Sequence, residues 1–418
     1  MNHKVAAVGL LSAVLATSVF ANEGASPKGI KAFDHIYVIM MENHGFSQVM
    51  NNSNAPYINH LAATERLATQ YFGIGHPSLN NYLELVGGSN FGVHSDHDPD
   101  WHNSNCQPNL ITGIANTENP PTSVICPIAG TGKDAATPAI DTSNETQFST
   151  GLNNIDGVKA IAQQANISGK TIVDQLVSAH KSWKSYQQNL PLTGADRVNF
   201  SDGVFTNNTD FKKITPAQKP PLSVSSIVGL YAVKHNPFAY FKNIQDGTDP
   251  KLSLKYSVGF DGPDGLYADL ATGNVPNFAF IAPNQCNDQH GRSNGGRFCF
   301  YDPHNDGTQA GLNPALLQRA DNTVQRLVTA IEHSPTWRKT DSKSAIVIVW
   351  DENDYSVAPN INRVPAIVIT NNGKSKSIKS DRYYNHFALL KTMESAFGLP
   401  CLNHACDADV QVMSELFN

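Results

Sequence analysis

Residues 33–46 read FDHIYVIMMENHGF, and their interpretation decides the fold. The stretch from Phe33 to Met41 is almost continuously apolar, without the three-to-four spacing of a surface helix. Such a run is the mark of a strand buried on both faces, which is how strands of a parallel sheet sit between two helical layers. It ends abruptly on Glu42 and Asn43. Three further segments have the same character: Val275 to Ala282, Ser344 to Trp350 (SAIVIVW) and Val364 to Thr370. Between them lie helical patterns at 56–69, 171–180, 314–333 and 384–397. Strands alternating with helices imply an α/β chain with a mostly parallel central sheet and helices on both faces.

The residues just past each strand carry the chemistry, because ligands of open α/β sheets bind beyond the carboxyl ends of the strands. The first strand delivers Glu42 and Asn43, the second Asn284, Asp288 and His290, and SAIVIVW delivers Asp351 and Glu352. His386 opens the C-terminal helical pattern and adds a second imidazole. These groups suggest two adjacent metals. One site is oxygen-rich (Glu42, Asn43, Asp351, Glu352) and one mixed (Asp288, His290, His386). Imidazole favours zinc, the expected ion, with calcium, magnesium or manganese as alternatives for the oxygen donors. Paired metals about 3.5–4 Å apart suit in-line displacement at phosphorus. The segment 75–92, GHPSLNNYLELVGGSNFG, places Ser78 at a helix start, where free backbone N–H groups favour an anion. Ser78 is thus the candidate nucleophile, although capping is a common task for serine there. Asn81, one turn on, can reach a phosphoryl oxygen. A G-x-S-x-G elbow and a G-K-[ST] phosphate loop are both absent, which argues against an α/β-hydrolase and a nucleoside triphosphatase.

The 418 residues are 40% apolar and 16% charged, with a formal net charge of -6 and no long basic run. Nucleic acid is therefore a poor partner. Residues 1–21, with Lys4, an apolar Val5 to Phe20 stretch, and Val19 and Ala21 before Asn22, read as a signal peptide. The expected location is therefore secreted or periplasmic. No later segment approaches the roughly 18 apolar residues of a membrane span. An even set of six cysteines fits disulfides in an exported chain, and proximity favours 106–126, 286–299 and 401–406. Residues 22–418 form one expected domain, with loop insertions at about 93–157 and 192–226 that are rich in Asn, Thr, Pro and Gly.

Seven motifs in order resemble the phosphoesterase family, which includes bacterial phospholipases C and acid phosphatases. They are FDHIYVIMMENHGF, HPSLNNY, SWKSYQQNLP, KHNPFAYF, PNFAFIAPNQCNDQHG, VIVWDEND and YNHFALLKTMESAFGLP. The resemblance covers residues 31 to 400. It implies an alkaline-phosphatase-like α/β sandwich and metal-dependent hydrolysis of a phosphate ester through a hydroxyl nucleophile. Matched by position, it puts metal on Glu42, Asn43, Asp351 and Glu352, with Asp288, His290 and His386 in the second site, and makes Ser78 the nucleophile. The substrate expected first is a phospholipid diester at a membrane surface, cleaved as by a phospholipase C, with Trp101, Phe205, Phe211 and Tyr231 as aromatic contacts. The alternative is an acid phosphatase acting on monoesters. A rival of another class is a non-catalytic exported protein that binds a phosphorylated ligand. No protein partner is implied.

Overall fold

The computed structural model describes residues 23–91, 93, 96, 99, 167–190, 200–201, 230–291, 299, 314–354, 361–371 and 377–418. The expected signal peptide, most of both loop insertions and the Cys106–Cys126 pair lie outside the described residues. So do Trp101, Phe205 and Phe211.

Ten strands are described: β1 His35–Met41, β2 Arg66–Phe72, β3 Trp183–Gln187, β4 Phe200–Ser201, β5 Tyr231–Ala232, β6 Ser257–Val258, β7 Phe278–Ala282, β8 Ser344–Trp350, β9 Arg363–Thr370 and β10 Ile378–Asn385. Eight of them form one sheet in the order β10-β2-β9-β8-β1-β7-β3-β6, while β4 and β5 pair separately. Strand β1 lies inside the sheet, parallel to β7 on one side and β8 on the other. In the eight-stranded sheet only β9 runs against its neighbours, β8 and β2. The expected mixed α/β architecture with a mostly parallel sheet is therefore what the chain adopts. Every residue of β7 and β8 is buried, which is why these segments read as unbroken apolar runs.

The helices pack in pairs. His386–Phe397 lies on Ser78–Gly87, and Pro56–Thr64 lies on Pro314–His333. The long helix Pro314–His333 buries Leu316, Leu317, Val324, Leu327, Val328 and Ile331, an apolar stripe at helical spacing. Two helical readings change. The helix expected over 56–69 stops at Thr64, because RLATQYF enters the sheet as β2, with Tyr71 and Phe72 buried. The helix expected from Tyr384 starts at His386. The preceding IKSDRYYN is the edge strand β10, and Asn385 caps the helix by accepting from Ala388 N–H at 3.0 Å. Disulfides Cys286–Cys299 and Cys401–Cys406 form as expected. No helix among the described residues is long and apolar enough to cross a membrane.

Because seven strands share one direction, their carboxyl ends meet at one edge, and the loops there interlock. Glu42 N–H donates to the Asp288 carbonyl at 2.9 Å, and Asp351 N–H donates to the Met41 carbonyl at 3.1 Å. After β2, Gly73 N–H donates to the Asn362 carbonyl at 2.9 Å. A Cβ on Gly73 would sit 2.6 Å from the Asp351 carbonyl oxygen and 2.8 Å from Asn362 Nδ2. Only glycine lets these two loops touch. Gly73→Ala should therefore lower stability by about 1–3 kcal/mol through overpacking. Urea unfolding of the purified variant checks this. An unchanged midpoint would show that the loops are free to part.

Candidate active site

Strand β1 hands over to Glu42, and the chain then turns at Asn43, whose φ of 56 places it in the left-handed region that asparagine tolerates. Asn43 N–H donates to Asp351 Oδ1 at 3.0 Å, tying the end of β1 to the end of β8. After β7 the chain turns again at Gln289, with φ of 90, between Asp288 and His290. The buried Gln289 side chain accepts from Trp350 Nε1 at 2.7 Å, which anchors that turn on β8. Asp288 Oδ1 accepts from His290 N–H at 2.8 Å.

Ser78 is the first residue of the ten-residue helix Ser78–Gly87, after Pro77. Its hydroxyl stands 3.2 Å from Glu42 Oε2 and 3.3 Å from Glu352 Oε1. Lys234 Nζ lies 3.3 Å from the same oxygen. Asn81 is three residues along the helix. Its Oδ1 accepts from Ile74 N–H at 2.8 Å and its Nδ2 donates to Glu352 Oε2 at 3.0 Å. Asn81 therefore fixes the loop before Ser78 and one of the flanking carboxylates. From the same helix, Tyr82 OH donates to Glu42 Oε1 at 2.6 Å. Burial, then the Glu42 charge, hold the Tyr82 phenol well above its ordinary range, so it stays a donor.

The structure thus gathers Glu42, Ser78, Asn81, Asp288, His290, Asp351 and Glu352 at one sheet edge. Asn43 contributes its backbone N–H. His386 is set differently: its Nε2 lies 2.6 Å from the Asp351 backbone carbonyl and its Nδ1 3.0 Å from Tyr71 OH. It braces the strand end that carries Asp351. Among the described residues, no three His, Cys, Asp or Glu side chains stand in an arrangement that could hold a metal ion.

The structure adds groups that strand ends alone do not reveal. His235 bridges two acids, with Nε2 2.9 Å from Glu42 Oε1 and Nδ1 3.4 Å from Asp288 Oδ2. It stacks flat on Tyr82, ring centroids 5.3 Å apart. His76 Nδ1 stands 3.1 Å from Glu352 Oε2, and His76 Nε2 lies 3.1 Å from Asn353 Oδ1. Lys234 Nζ lies 2.9 Å from Asp96 Oδ2 and 3.3 Å from His290 Nε2. Lys234 and His235 open the KHNPFAYF segment, so a signal for them exists in the motif. They sit in a short 3-10 turn, Val233–His235, rather than after a long apolar strand.

Burial dominates the electrostatics. Desolvation pushes Asp351 and Glu352 well above the usual carboxylate range, and the Glu42 charge adds to it in both. Asp288 is pushed up to about 6 by burial, against the pull of His235. Burial works against the Glu42 charge too, but His235, its hydrogen bond and Lys234 bring Glu42 below its ordinary value. Burial pulls His235 down, but the charges of Glu42 and Asp288 and its hydrogen bonds to both together outweigh it and raise His235 to about 9, which favours the cation at neutral pH. Burial and Lys234 lower His290 to about 4, and burial lowers His386 to about 4. Asp351 Oδ2 is buried without a hydrogen-bond partner.

The chain matches the model of the Phosphoesterase family over residues 47–298, more than half its length, and it belongs to that family. It is similar to a phosphatidylinositol-3-phosphatase of Mycobacterium tuberculosis, 23% identical over 407 residues that span 97% of this chain and 91% of the relative. It is also similar to a phosphate-repressible acid phosphatase of Penicillium chrysogenum, 22% identical over 96% of this chain and 68% of that protein. An acid phosphatase of Aspergillus fumigatus is 19% identical over 91% of this chain and 58% of its own length. A solved alkaline phosphatase superfamily protein from Vibrio parahaemolyticus aligns at 12% identity with a TM-score of 0.40, over 90% of this chain and 69% of that one.

Tyr82→Phe tests the hydrogen bonds around Glu42. It keeps the ring stacked on His235 and removes one donor from a buried carboxylate, which should cost about 1–3 kcal/mol of stability. Chemical denaturation reads the cost. No change would mean that the carboxylate finds another donor.

Proposed function

We propose that this phosphoester hydrolase acts on phosphate monoesters, with Ser78 as its nucleophile. The observation that carries the reading is the setting of the Ser78 hydroxyl, at a helix start between two buried carboxylates and beside Lys234. Glu352, whose proton affinity burial raises, is placed to take the hydroxyl proton as Ser78 Oγ attacks phosphorus. The bond from phosphorus to the ester oxygen breaks, that oxygen takes up a proton and leaves as the alcohol, and water then cleaves the phosphoserine, releasing inorganic phosphate and returning a proton to Ser78 Oγ. Lys234 and the first free N–H groups of the Ser78 helix face the charge on the phosphoryl oxygens. Asn81 keeps Glu352 oriented towards Ser78.

By its chemistry the donor set suits a divalent metal, although the side chains would have to draw together to enclose one: Asp351 and Glu352 are buried acids whose proton affinity burial and the Glu42 charge raise, and Asp351 Oδ2 has no hydrogen-bond partner. These three with the Asn43 segment would hold one ion, and Asp288 and His290 a second, with His386 bracing the Asp351 strand end. A bound divalent ion would supply positive charge that lowers the hydroxyl's proton affinity and offsets that of the phosphoryl group. Zinc remains the proposed ion.

The monoester reading draws on the names of the relatives, all of which are phosphatases. The aromatic contacts expected for a lipid diester carry less weight, since Tyr231, the one described, is 2% exposed and packed in the core. The two disulfides suit the proposed export into an oxidising compartment.

Ser78→Ala should cut turnover of an aryl phosphate by on the order of 10³-fold or more while the bound metal, read by elemental analysis, stays near wild type. Loss of metal together with activity would assign Ser78 a structural role. Stripping the protein with a chelator should abolish turnover, and resupply of single divalent ions should restore it. Undiminished activity after verified stripping would remove metal from the account. Assayed side by side, the aryl monoester should outrun phosphocholine release from phosphatidylcholine. The reverse order would make the enzyme a phospholipase C, and silence in both arms would favour a phospho-ligand-binding protein.

A further inference from the structure

Asp96 stands apart from the other acids of the site. Glu42, Asp288, Asp351 and Glu352 are buried, whereas the Asp96 side chain is 32% exposed. Its two oxygens nevertheless point inward. Oδ1 accepts from Leu79 N–H at 3.0 Å and Oδ2 from Lys234 Nζ at 2.9 Å. Leu79 is the second residue of the Ser78 helix, so its N–H has no partner inside the helix. Lys234 Nζ is at the same time 3.3 Å from Ser78 Oγ. An anion held by these two donors lies against the hydroxyl, where a phosphoryl group must sit for attack. A carboxylate is a smaller copy of two of the three phosphoryl oxygens, carried on a side chain that water can receive.

We propose that the Asp96 carboxylate occupies the phosphoryl seat and acts as an internal competitor that substrate displaces. The inference rests on the reading of Ser78 as nucleophile and extends it. It gives Leu79 N–H and Lys234 to the phosphoryl oxygens as their donors and makes Asp96 a determinant of affinity. Two features select for a full phosphoryl group. A ligand must accept both hydrogen bonds that Asp96 now accepts, from Leu79 N–H and Lys234 Nζ. It must also bring enough charge to compensate Lys234 once the carboxylate has left. Departure of Asp96 removes one negative charge from the field at Glu352, where its repulsion adds to that of Glu42. Apparent affinity for an anion is reduced by the fraction of molecules in which the seat is taken.

The test is the binding of inorganic phosphate to the full chain as purified, measured by titration calorimetry without turnover. Asp96→Ala should bind phosphate more tightly, by about tenfold if the carboxylate holds the seat in about nine molecules of ten. Asp96→Asn, which keeps the shape and loses the charge, should fall between the two. In Lys234→Met phosphate binding should weaken, and adding Asp96→Ala to it should bring no comparable gain. Equal or weaker binding by both Asp96 variants, with melting curves like wild type, would overturn the proposal and make Asp96 a support for the loop. Should Asp96→Ala unfold, the asparagine variant decides alone. If phosphate affinity is unmoved while aryl phosphate is still turned over through Ser78, only this inference falls. If neither wild type nor variant binds phosphate, it falls together with the hydrolase reading of the site.

Discussion

Four carboxylates buried at one edge of a sheet are the constraint on which the rest of this structure depends. Glu42, Asp288, Asp351 and Glu352 have almost no contact with water, and burying charge is costly unless it is paired. The surroundings are organised to meet that cost. His235 lies between Glu42 and Asp288, Tyr82 donates to Glu42, His76 and Asn81 reach Glu352, and Asn43 N–H reaches Asp351. Two groups here, Lys234 and His235, are raised in basicity and carry positive charge. Four acids against two such cations leave a site whose chemistry favours a further cation, and the proposed metal is one answer to that imbalance.

The fold supplies the convergence. In a sheet whose strands nearly all point one way, every strand end arrives at the same edge, so residues distant in sequence become neighbours without long loops. Glu42 follows β1, Asp288 follows β7, Asp351 follows β8 and Ser78 follows β2. The turns at Asn43 and Gln289, both at positive φ, then aim short side chains inward. The cost of that backbone geometry is borne by bonds to β8, through Asp351 and Trp350. Ser78 adds the pole of a helix, so its hydroxyl meets both the carboxylates of Glu42 and Glu352 and the backbone amides that favour an anion.

Much of this is legible in the sequence because β1, β7 and β8 are buried on both faces and must be apolar throughout, which makes their ends easy to see. The acids just past them can then be assigned to one edge. The parts that stay hidden lack that signal. Strand β2 carries Arg66, Thr69 and Gln70 among its apolar residues and continues a helical pattern, so periodicity places the helix boundary beyond Thr64, where it actually falls. Strand β10 is an edge strand with exposed positions and reads as the approach to a helix. Lys234 and His235 come from a single 3-10 turn, and Asp96 from a stretch whose composition reads as loop. Periodicity says nothing of such residues. Their roles emerge only from tertiary contacts, such as those of Lys234 with Ser78 across 156 positions of sequence and with Asp96 across 138.

The central claim, a covalent path through Ser78, predicts the stereochemistry at phosphorus. The most direct measurement transfers an isotopically chiral phosphoryl group from an ester to an acceptor alcohol and determines its configuration. Two in-line displacements, one by Ser78 and one by the acceptor, predict overall retention. Inversion would mean a single displacement by the acceptor itself and would contradict the account.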